Sequence, residues 1–487
     1  MTTAPATRPT VREPLPPGGA ALIGVLVASA FVVFLTETVM GVALPRLMDA
    51  LSISAVTGQW LTTGYMLTMA ILIPMTGFLL QRFGTRRVFL VAIALFSVGT
   101  LIAATAPGFE MLLLGRVVQA AGTSMVMPLL MTTTLAIVPT SRRGAMMGLV
   151  AVVVSSAPAL GPTAAGAVLD TLGWRGLFWL ILPFALGALV AGVFAVRDVG
   201  ERTEGSIDLT SVVLSTIGFG GVVYGLANMG EAGSAGVHPA VPIVIGLVAL
   251  AAFVARQLRL QKRDAALLDL RVFRDGLFTR SFVLLTMVVI TQFGVVILLP
   301  IYLQNVLAHS ALQTGVALLP GGLVSAILAL AVGAAYDRIG PRPLLIGGGL
   351  VFSASLWGMT TLDTQTPLWI VIALHMTMSA GVGGLFTPLF SASLGSLTPQ
   401  LHAHGSAAIN TINQVGGALG TATYVTVMTL GSAEAAAAGA TAAAAAAAGI
   451  HNALVAGAFM SLLVAAGAFL VVRRRRRTTG TETPVEE

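Results

Sequence analysis

The sequence predicts an all-α polytopic membrane protein with 14 transmembrane helices, from its composition, its long apolar runs and the positions of its basic residues. Hydrophobic residues make up 56% of the 487 residues and charged residues only 9%, whereas soluble domains carry about 25% charge. The chain has no cysteine, which excludes disulfides, thiolate metal sites and cysteine nucleophiles. Most of such a chain is expected to lie in lipid.

Fourteen apolar runs are long enough to cross about 30 Å of hydrocarbon as helices that rise about 1.5 Å per residue. In chain order they lie near residues 19–44, 57–80, 87–105, 111–137, 145–168, 176–196, 209–229, 241–257, 281–304, 312–335, 343–361, 368–394, 405–430 and 450–472.

The basic residues indicate how these spans are oriented, because cytoplasmic loops carry an excess of Lys and Arg. With the N-terminus inside, all 26 basic residues fall on the cytoplasmic side except Arg46, Arg116 and Arg175. We therefore expect a cell-membrane protein with both termini in the cytoplasm. The net charge of +7 is spread over short loops rather than one face of a soluble module, so no nucleic acid is expected as a partner.

An internal repeat divides the chain, at offsets of 256 to 261 residues. The loop after the second span shares Gly77, Arg82 and Gly84 with Gly333, Arg338 and Gly340 after the tenth, and a second match sets Pro139 and Gly144 against Pro399 and Gly405. The repeat predicts six-helix bundles at 19–196 and 281–472, two inserted helices at 197–257, a cytoplasmic connection at 258–280, and tails at 1–18 and 473–487. Parallel repeats of this kind place a substrate site near the bilayer midplane, between the halves.

Four short motifs occupy defined places in these spans. The duplicated loop contains Gly77, Gln81, Arg82, Gly84, Arg86 and Arg87 in its first copy and Gly333, Asp337, Arg338 and Gly340 in its second. Residues 114–122 (LGRVVQAAG) carry Arg116, residues 157–166 (APALGPTAAG) carry Pro158, Gly161, Pro162 and Gly166, and residues 34–41 (FLTETVMG) carry Glu37.

In this order the four motifs resemble motif A, motif B, the antiporter motif C and the helix 1 signature of the major facilitator superfamily, in its fourteen-helix drug:proton antiporter branch. The sequence departs from the family pattern in three ways. Gln81 replaces the usual acid of motif A, which the second copy keeps as Asp337, and alanines replace two glycines of motif C. The acid of the first span stands one place later than the usual aspartate, whose position is taken by Thr36.

Glu37 is the only acid that the fourteen-span assignment puts within the membrane. A carboxylate in hydrocarbon is costly and marks a functional site by default. Arg116, in the fourth span, lies at a similar depth, so the two side chains could meet. Two interpretations remain open: Glu37 binds and releases a proton during transport, or it forms a static ion pair with Arg116.

Further polar side chains interrupt the apolar spans at Tyr65, Gln119, Gln292, His375, Asn410 and Gln414. They are candidates for lining a cavity, and equally for hydrogen bonds between helices. The motif A loops either act as a gating latch, biased by Asp337, or only fix topology through their arginines. The small residues of motif C allow close helix packing, and the resemblance implies a role in antiport.

The resemblance implies a secondary active transporter that exports small hydrophobic or cationic drug-like molecules across the cytoplasmic membrane in exchange for protons, by alternating access. The alternatives are a dedicated exporter of one endogenous metabolite or self-produced antibiotic and, more distantly, a non-transporting membrane receptor or scaffold. An enzyme is not expected, since one Glu, one Arg and one His in the spans supply no catalytic constellation. The expected partners are a small-molecule substrate, protons and membrane lipids, without cofactor or metal, and the sequence does not indicate an oligomeric state.

Overall fold

Helices account for nearly all of the chain that the structure, a computed structural model, describes, namely residues 18–139, 143–199, 208–231, 238–263, 266–398 and 401–471. No strand occurs in those residues, which confirms the predicted all-α fold. The α-helices are α1 (Gly19–Leu51), α2 (Ala55–Gly58), α3 (Trp60–Phe83), α4 (Thr85–Ala104), α5 (Phe109–Ile137), α6 (Arg143–Ala195), α7 (Leu209–Ala227), α8 (Ala240–Leu260), α9 (Gly276–Ile301), α10 (Ala311–Ile339), α11 (Pro341–Met359), α12 (Leu368–Gly395), α13 (His402–Ala437) and α14 (Ala442–Val471).

Each of the fourteen predicted spans falls on these helices. The fifth and sixth spans both lie in α6, which turns at Gly173, where φ is 69° and the backbone is not helical. Within the described residues, ten helices are long and apolar enough to cross a membrane. The two predicted tails lie almost wholly outside the described residues.

The two copies of the repeated loop have the same backbone conformation. Gly84 separates α3 from α4 with φ 80° and ψ 163°, and Gly340 separates α10 from α11 with φ 76° and ψ 175°. A positive φ of this size strains residues with a Cβ atom, so both turns require glycine. The sequence repeat is therefore also a repeat of local structure.

Close helix packing depends on glycine at several crossings. A Cβ atom at Gly99 on α4 would lie 2.4 Å from the backbone nitrogen of Gln119 on α5, and one at Gly122 would lie 2.3 Å from the carbonyl oxygen of Ala92. Small residues let helix backbones approach in this way, which is how helices associate within lipid. The α4–α5 contact fixes the position of the fifth helix, and with it Arg116.

The surface of the bundle is apolar along its length. Phe194 is 79% exposed, and Trp369 and Leu172 are each 68% exposed. Exposed apolar side chains on this scale would be unstable in water and suit a surface that contacts lipid. The exposed surface of the bundle is therefore the apolar one expected of a multi-pass membrane protein.

Candidate functional site

Glu37 lies midway along α1 with its side chain half-buried. Its carboxyl group interacts electrostatically with Arg116 on α5 and lies opposite the side-chain amide of Gln414 on α13. The helix α1 belongs to the first sequence repeat and α13 to the second. The only acid predicted to lie within the membrane is therefore at a boundary between the two repeats.

The position of the acid, one residue later than in the family pattern, changes the direction in which it points. Successive residues of an α-helix are rotated by about 100°. Thr36, at the family's usual acid position, is buried and donates a hydrogen bond to the carbonyl oxygen of Val32 at 2.8 Å. The shift by one residue therefore moves the carboxyl group away from the packed side of α1.

Arg116 is fully buried on α5 and has three partners. Its Nη1 donates a hydrogen bond to Oε1 of Gln119 at 2.6 Å, and its Nε donates to the carbonyl oxygen of Leu61 at 3.2 Å. Its guanidinium carbon lies 3.9 Å from the ring centre of Tyr65, which is a cation–π contact. A backbone carbonyl, a side-chain amide and an aromatic ring thus hold the buried cation in one orientation.

A second layer of hydrogen bonds supports these partners. Gln119 donates from Nε2 to Oγ1 of Thr100 at 2.8 Å, and the Tyr65 hydroxyl donates to Oγ1 of Thr123 at 2.7 Å. The Thr123 hydroxyl in turn donates to the carbonyl oxygen of Gln119 at 3.0 Å. Tyr65 and Gln119, which are candidates for cavity lining in the sequence, are both fully buried and contact Arg116.

Glu37 and Arg116 do not form a close ion pair. Within the described residues, no ion pair of 4.0 Å or less joins them, although they interact at longer range. The Nη2 group of Arg116 is buried and has no hydrogen-bond partner in that part of the chain. One N–H end of the cation is therefore available to an acceptor.

The remaining glutamine and asparagine candidates are not all brought to this place. Gln414 is buried beside Glu37, and its Oε1 has no hydrogen-bond partner among the described residues. Gln292 is half-buried on α9. Asn410 is exposed on α13 and donates a hydrogen bond to the carbonyl oxygen of Ser406 at 3.0 Å. Of these three, the structure gives only Gln414 an interaction with Glu37.

His375 lies apart from the two charges. It is half-buried on α12, and a Cβ atom at Gly321 on α10 would be 2.2 Å from its Nδ1. That glycine makes room for the imidazole ring between two helices of the second repeat. Within the described residues, no interaction connects His375 with Glu37 or Arg116.

The motif C segment packs against both α1 and α10. A Cβ atom at Gly161 would lie 2.1 Å from Oγ1 of Thr38, the residue after Glu37, and one at Gly166 would lie 2.3 Å from the carbonyl oxygen of Ala311. Pro162 lies equally close to α10, because a Cβ atom at Gly315 would be 2.2 Å from its carbonyl oxygen. The packing expected of the small residues in this motif is present. The side chain of Pro158 lies outside the described residues.

The motif A loops are described in part. Arg82, Arg86 and Arg87 are exposed in the first copy, as is Arg338 in the second. The backbone nitrogen of Arg86 donates a hydrogen bond to Oδ1 of Asp198 at 3.0 Å, which joins this loop to the segment after α6. At Gly333 a Cβ atom would meet nothing within 4 Å. The surroundings of the Gly77, Gln81 and Asp337 side chains lie outside the described residues.

Several polar contacts join the two repeats where α1 ends and α10 begins. Asp170 on α6 accepts a hydrogen bond from the backbone nitrogen of Leu312 at 3.0 Å and pairs with Arg46 at 3.3 Å. Gln304 donates from Nε2 to the carbonyl oxygen of Val42 at 3.0 Å. These hydrogen bonds join elements of the first and second sequence repeats at that end of the bundle.

Sequence reasoning missed three threonines of the site: Thr38, Thr100 and Thr123. Each lies in an apolar helix, where a threonine hydroxyl most often bonds to the backbone of its own preceding turn. The sequence carries no signal for the partners these residues acquire from neighbouring helices. Only the tertiary packing shows them.

Comparison with known proteins identifies the family. Residues 26–421 match the description of the Major Facilitator Superfamily. Lincomycin resistance protein LmrB of Listeria monocytogenes is 40% identical over 447 residues, which cover 91% of this chain and 94% of that protein. LmrB of Bacillus subtilis is 36% identical, covering 83% and 85%, and the multidrug resistance protein B homolog of Mycobacterium tuberculosis is 32% identical, covering 83% and 75%.

Solved structures share the fold at low sequence identity. A bacterial homolog of the human lysosomal transporter Spinster, in an inward-facing and unoccupied conformation, superposes with a TM-score of 0.68 at 16% identity and covers 93% of this chain and 97% of that one. A D-xylose–proton symporter gives a TM-score of 0.64 at 15% identity, with 93% and 98% covered. The chain therefore belongs to the Major Facilitator Superfamily and is a multi-pass membrane transporter, not an enzyme.

Proposed function

We propose that this transporter exports small, hydrophobic or cationic drug-like molecules across the cell membrane in exchange for protons, with Glu37 as the proton-binding group. The names of the relatives, lincomycin resistance and multidrug resistance proteins, support this substrate class. The long apolar helices around the single intramembrane acid also favour molecules with few polar groups, because recognition of a sugar or peptide needs several convergent hydrogen-bonding side chains.

The observation that carries the proposal is the position of Glu37 between α1 and α13, with no close ion pair to Arg116. A carboxylate locked in a buried salt bridge serves structure and does not exchange its proton readily. A half-buried carboxyl group at the boundary between the halves can instead be exposed to one side of the membrane and then to the other. That is the requirement for coupling proton entry to substrate exit.

Arg116 supplies the second half of the mechanism. Because Gln119, Leu61 and Tyr65 hold it in place, it is a fixed positive charge near Glu37. When Glu37 is ionised, the two charges attract each other, and a cationic substrate can take a place beside the carboxylate. Protonation of Glu37 removes its negative charge, weakens its hold on a cation and favours release.

Alternating access is supported by polar contacts that join the two proposed halves at one end of the bundle. The Asp170–Leu312 and Gln304–Val42 hydrogen bonds join α6 to α10 and the residues after α9 to α1 at one end of the bundle. In the predicted orientation this end faces outward. These contacts would then close the substrate path on the outer side.

The central test is Glu37→Gln, which keeps the shape of the side chain and removes its ability to titrate. We expect pH-gradient-driven efflux from proteoliposomes to be lost, while binding of an apolar substrate and passive substrate exchange remain. Glu110→Gln is the matched control, because Glu110 is an exposed acid in the first turn of α5. Full proton-driven efflux by Glu37→Gln would overturn the proposal.

A static role for Glu37 predicts a different result. If its charge were needed to balance Arg116, Glu37→Gln would cost roughly 3–5 kcal/mol of stability, as for a broken buried ion pair. The variant would then unfold readily, and replacing Arg116 as well would restore folding. Since the structure gives Arg116 other partners, we expect Glu37→Gln to melt close to the parent protein.

A dedicated exporter of one metabolite or self-produced antibiotic is the second candidate for the substrate class. The relatives named for lincomycin resistance keep this alternative open. A proteoliposome panel that includes lincomycin, a lipophilic fluorescent cation and neutral apolar drugs separates the two. Transport of several unrelated members supports the broad exporter, and transport of lincomycin alone supports the narrow one.

We further propose the predicted division into six-helix halves at 19–196 and 281–472 with inserted helices at 197–257, and cytoplasmic placement of both termini. The equal conformations of Gly84 and Gly340 support the repeat. Reporters fused after Arg143, within residues 256–280 and at the C-terminus should all report the cytoplasm. An external signal from the C-terminal fusion would contradict fourteen spans.

A further inference from the structure

The inserted helices α7 and α8 form a hairpin whose role the transport mechanism above does not explain. They pack closely through glycine: a Cβ atom at Gly221 would lie 2.6 Å from the carbonyl oxygen of Pro242, and one at Gly246 would lie 2.7 Å from that of Gly218. Glycine lets the two helices pack side by side, and hydrogen bonds from Arg256 to Asp208 and from Gln257 to Ser211 tie the end of α8 to the start of α7. The hairpin can therefore be treated as a single body.

At one end, polar contacts fasten the hairpin to the connection before α9. Arg256 on α8 donates two hydrogen bonds of 2.6 Å to the carboxylate of Asp208, which precedes α7. Gln257 donates to Ser211 at 2.6 Å, and its Oε1 accepts a hydrogen bond from the backbone nitrogen of Leu268 at 3.2 Å. The base of the hairpin is thus joined to the segment that leads into the second half.

That segment is itself joined to α13. The backbone nitrogen of Asp269 donates a hydrogen bond to Nδ1 of His404, near the first residue of α13, at 3.3 Å. At the other end of the hairpin, Thr426 on α13 donates from Oγ1 to the carbonyl oxygen of Leu226 at 3.0 Å. Two widely separated attachments therefore connect the hairpin with one helix of the second half.

The contact with the first half has a different character. The rings of Trp60 on α3 and Tyr224 on α7 are 5.7 Å apart, and Met66 on α3 packs against Val223. Within the described residues, none of the hydrogen bonds made by α7 reaches α3. Apolar contacts are not directional, so they permit two helices to slide where hydrogen bonds would hold them in register.

The helix α7 covers the line along which the two halves meet. Met66 on α3 and Ala418 and Ala422 on α13 form one buried cluster with Val223. The helix α8 lies outside this cluster, and its Val244 and Val248 are 57% and 65% exposed. The hairpin therefore has one face on the α3–α13 junction and the other towards lipid.

We propose that the inserted hairpin is a lateral seal that moves with the C-terminal half, while α3 of the N-terminal half slides along α7 as the halves rock. This inference depends on the proposed alternating access. The α3–α13 junction changes when the halves move, and a gap there would open the substrate path to lipid. A hairpin that is fixed to α13 by hydrogen bonds, and that makes only apolar contacts with α3 among the described residues, keeps the junction covered in both states.

The test measures distances between spin labels at three exposed positions near one end of the bundle. Leu258 reports on the hairpin, Val91 on the N-terminal half and Leu470 on the C-terminal half, and they are 45%, 52% and 62% exposed. No native cysteine has to be removed before labelling, because the chain contains none. Each pair of cysteine substitutions is measured in the full transporter at neutral pH and after acidification.

We expect the Val91–Leu470 and Val91–Leu258 distances to change together by about 5 Å or more, the scale of a one-turn displacement. The Leu258–Leu470 distance should stay constant. If it changes while Val91–Leu258 stays constant, the hairpin travels with the N-terminal half and the inference is wrong. If the Val91–Leu470 distance does not change, the two halves do not move relative to each other, and both alternating access and the present inference are wrong. This result differs from the previous one, in which the halves move but the hairpin follows the N-terminal half.

A functional measurement complements the distances. Joining Trp60→Cys to Tyr224→Cys with a short cleavable linker ties α3 to the hairpin, so we expect efflux to stop and to return on cleavage. Joining Val223→Cys to Ala422→Cys ties the hairpin to α13 and should leave efflux unchanged. Normal efflux with the first linker, or loss of efflux with the second, would overturn the sliding seal.

Discussion

Replacement of Gln119 by leucine tests how the buried cation is kept in place. The substitution removes the acceptor of the 2.6 Å hydrogen bond from Arg116 and the donor of the 2.8 Å bond to Thr100. Because the Nη2 group of Arg116 already has no partner among the described residues, both terminal nitrogens of its guanidinium group would then be unsatisfied. The energetic consequence follows from those two bonds.

A hydrogen bond to a charged group contributes about 1.5–3 kcal/mol, and a neutral bond between helices in lipid about 0.6 kcal/mol. Their sum predicts that Gln119→Leu lowers the free energy of unfolding by about 2–4 kcal/mol. Unfolding of the purified variant in mixed detergent micelles, followed beside the parent protein, measures this difference directly.

Gln119→Glu is the control for this experiment, because a carboxylate keeps the acceptor for Arg116 and adds an opposite charge. Gln119→Glu should recover most of the free energy of unfolding that Gln119→Leu loses, although the carboxylate cannot donate a hydrogen bond to Thr100. A stability of Gln119→Leu within about 0.5 kcal/mol of the parent, the ordinary range for surface substitutions, would show that Gln119 does not hold the cation.

Two further predictions concern packing and pH. Gly315→Val should destabilise the protein by about 1–3 kcal/mol through overpacking, because a Cβ atom there would lie 2.2 Å from the carbonyl oxygen of Pro162. Gly333→Ala lies in the same helix, and a Cβ atom there meets nothing within 4 Å among the described residues. It should raise the melting temperature slightly, since alanine favours a helix over glycine by about 1 kcal/mol. Hydrogen bonding from Arg256 holds the pKa of Asp208 below its ordinary value of 3.8, so the pair stabilises the fold above that pH and loses its contribution as the pH falls below it. Asp208→Asn should therefore melt lower than the parent at neutral pH, with the gap closing in acid; an equal gap at both pH values would contradict this.

The spans were predictable because each one must satisfy the same requirement by itself. A helix that crosses lipid needs a long apolar run, whatever its neighbours are. The break between the fifth and sixth spans was also predicted. In the structure it lies inside α6 at Gly173, whose positive φ interrupts the helix. Glu37 was predictable for the same reason, since an acid in such a run is conspicuous without any tertiary information.

The direction in which each side chain points was not predictable. In a soluble protein the apolar face of a helix identifies the core, but in lipid both the core and the outside are apolar. The sequence therefore names Tyr65, Gln119 and Gln414 as equivalent candidates, and the structure distinguishes them. Tyr65 and Gln119 surround Arg116, while Gln414 lies beside Glu37 from the other half.

The matched turns at Gly84 and Gly340 give this protein an internal replicate for mutagenesis. Alanine at either position meets a similar backbone conformation, with φ within 4° and ψ within 12° of its counterpart, and so a similar local strain of about 1–3 kcal/mol. A difference between the two variants in transport cannot come from the turn itself. It must come from the surroundings of each copy, such as the hydrogen bond from Arg86 to Asp198 in the first. Two substitutions thereby compare the surroundings of the two loops within one molecule, at a similar conformational cost.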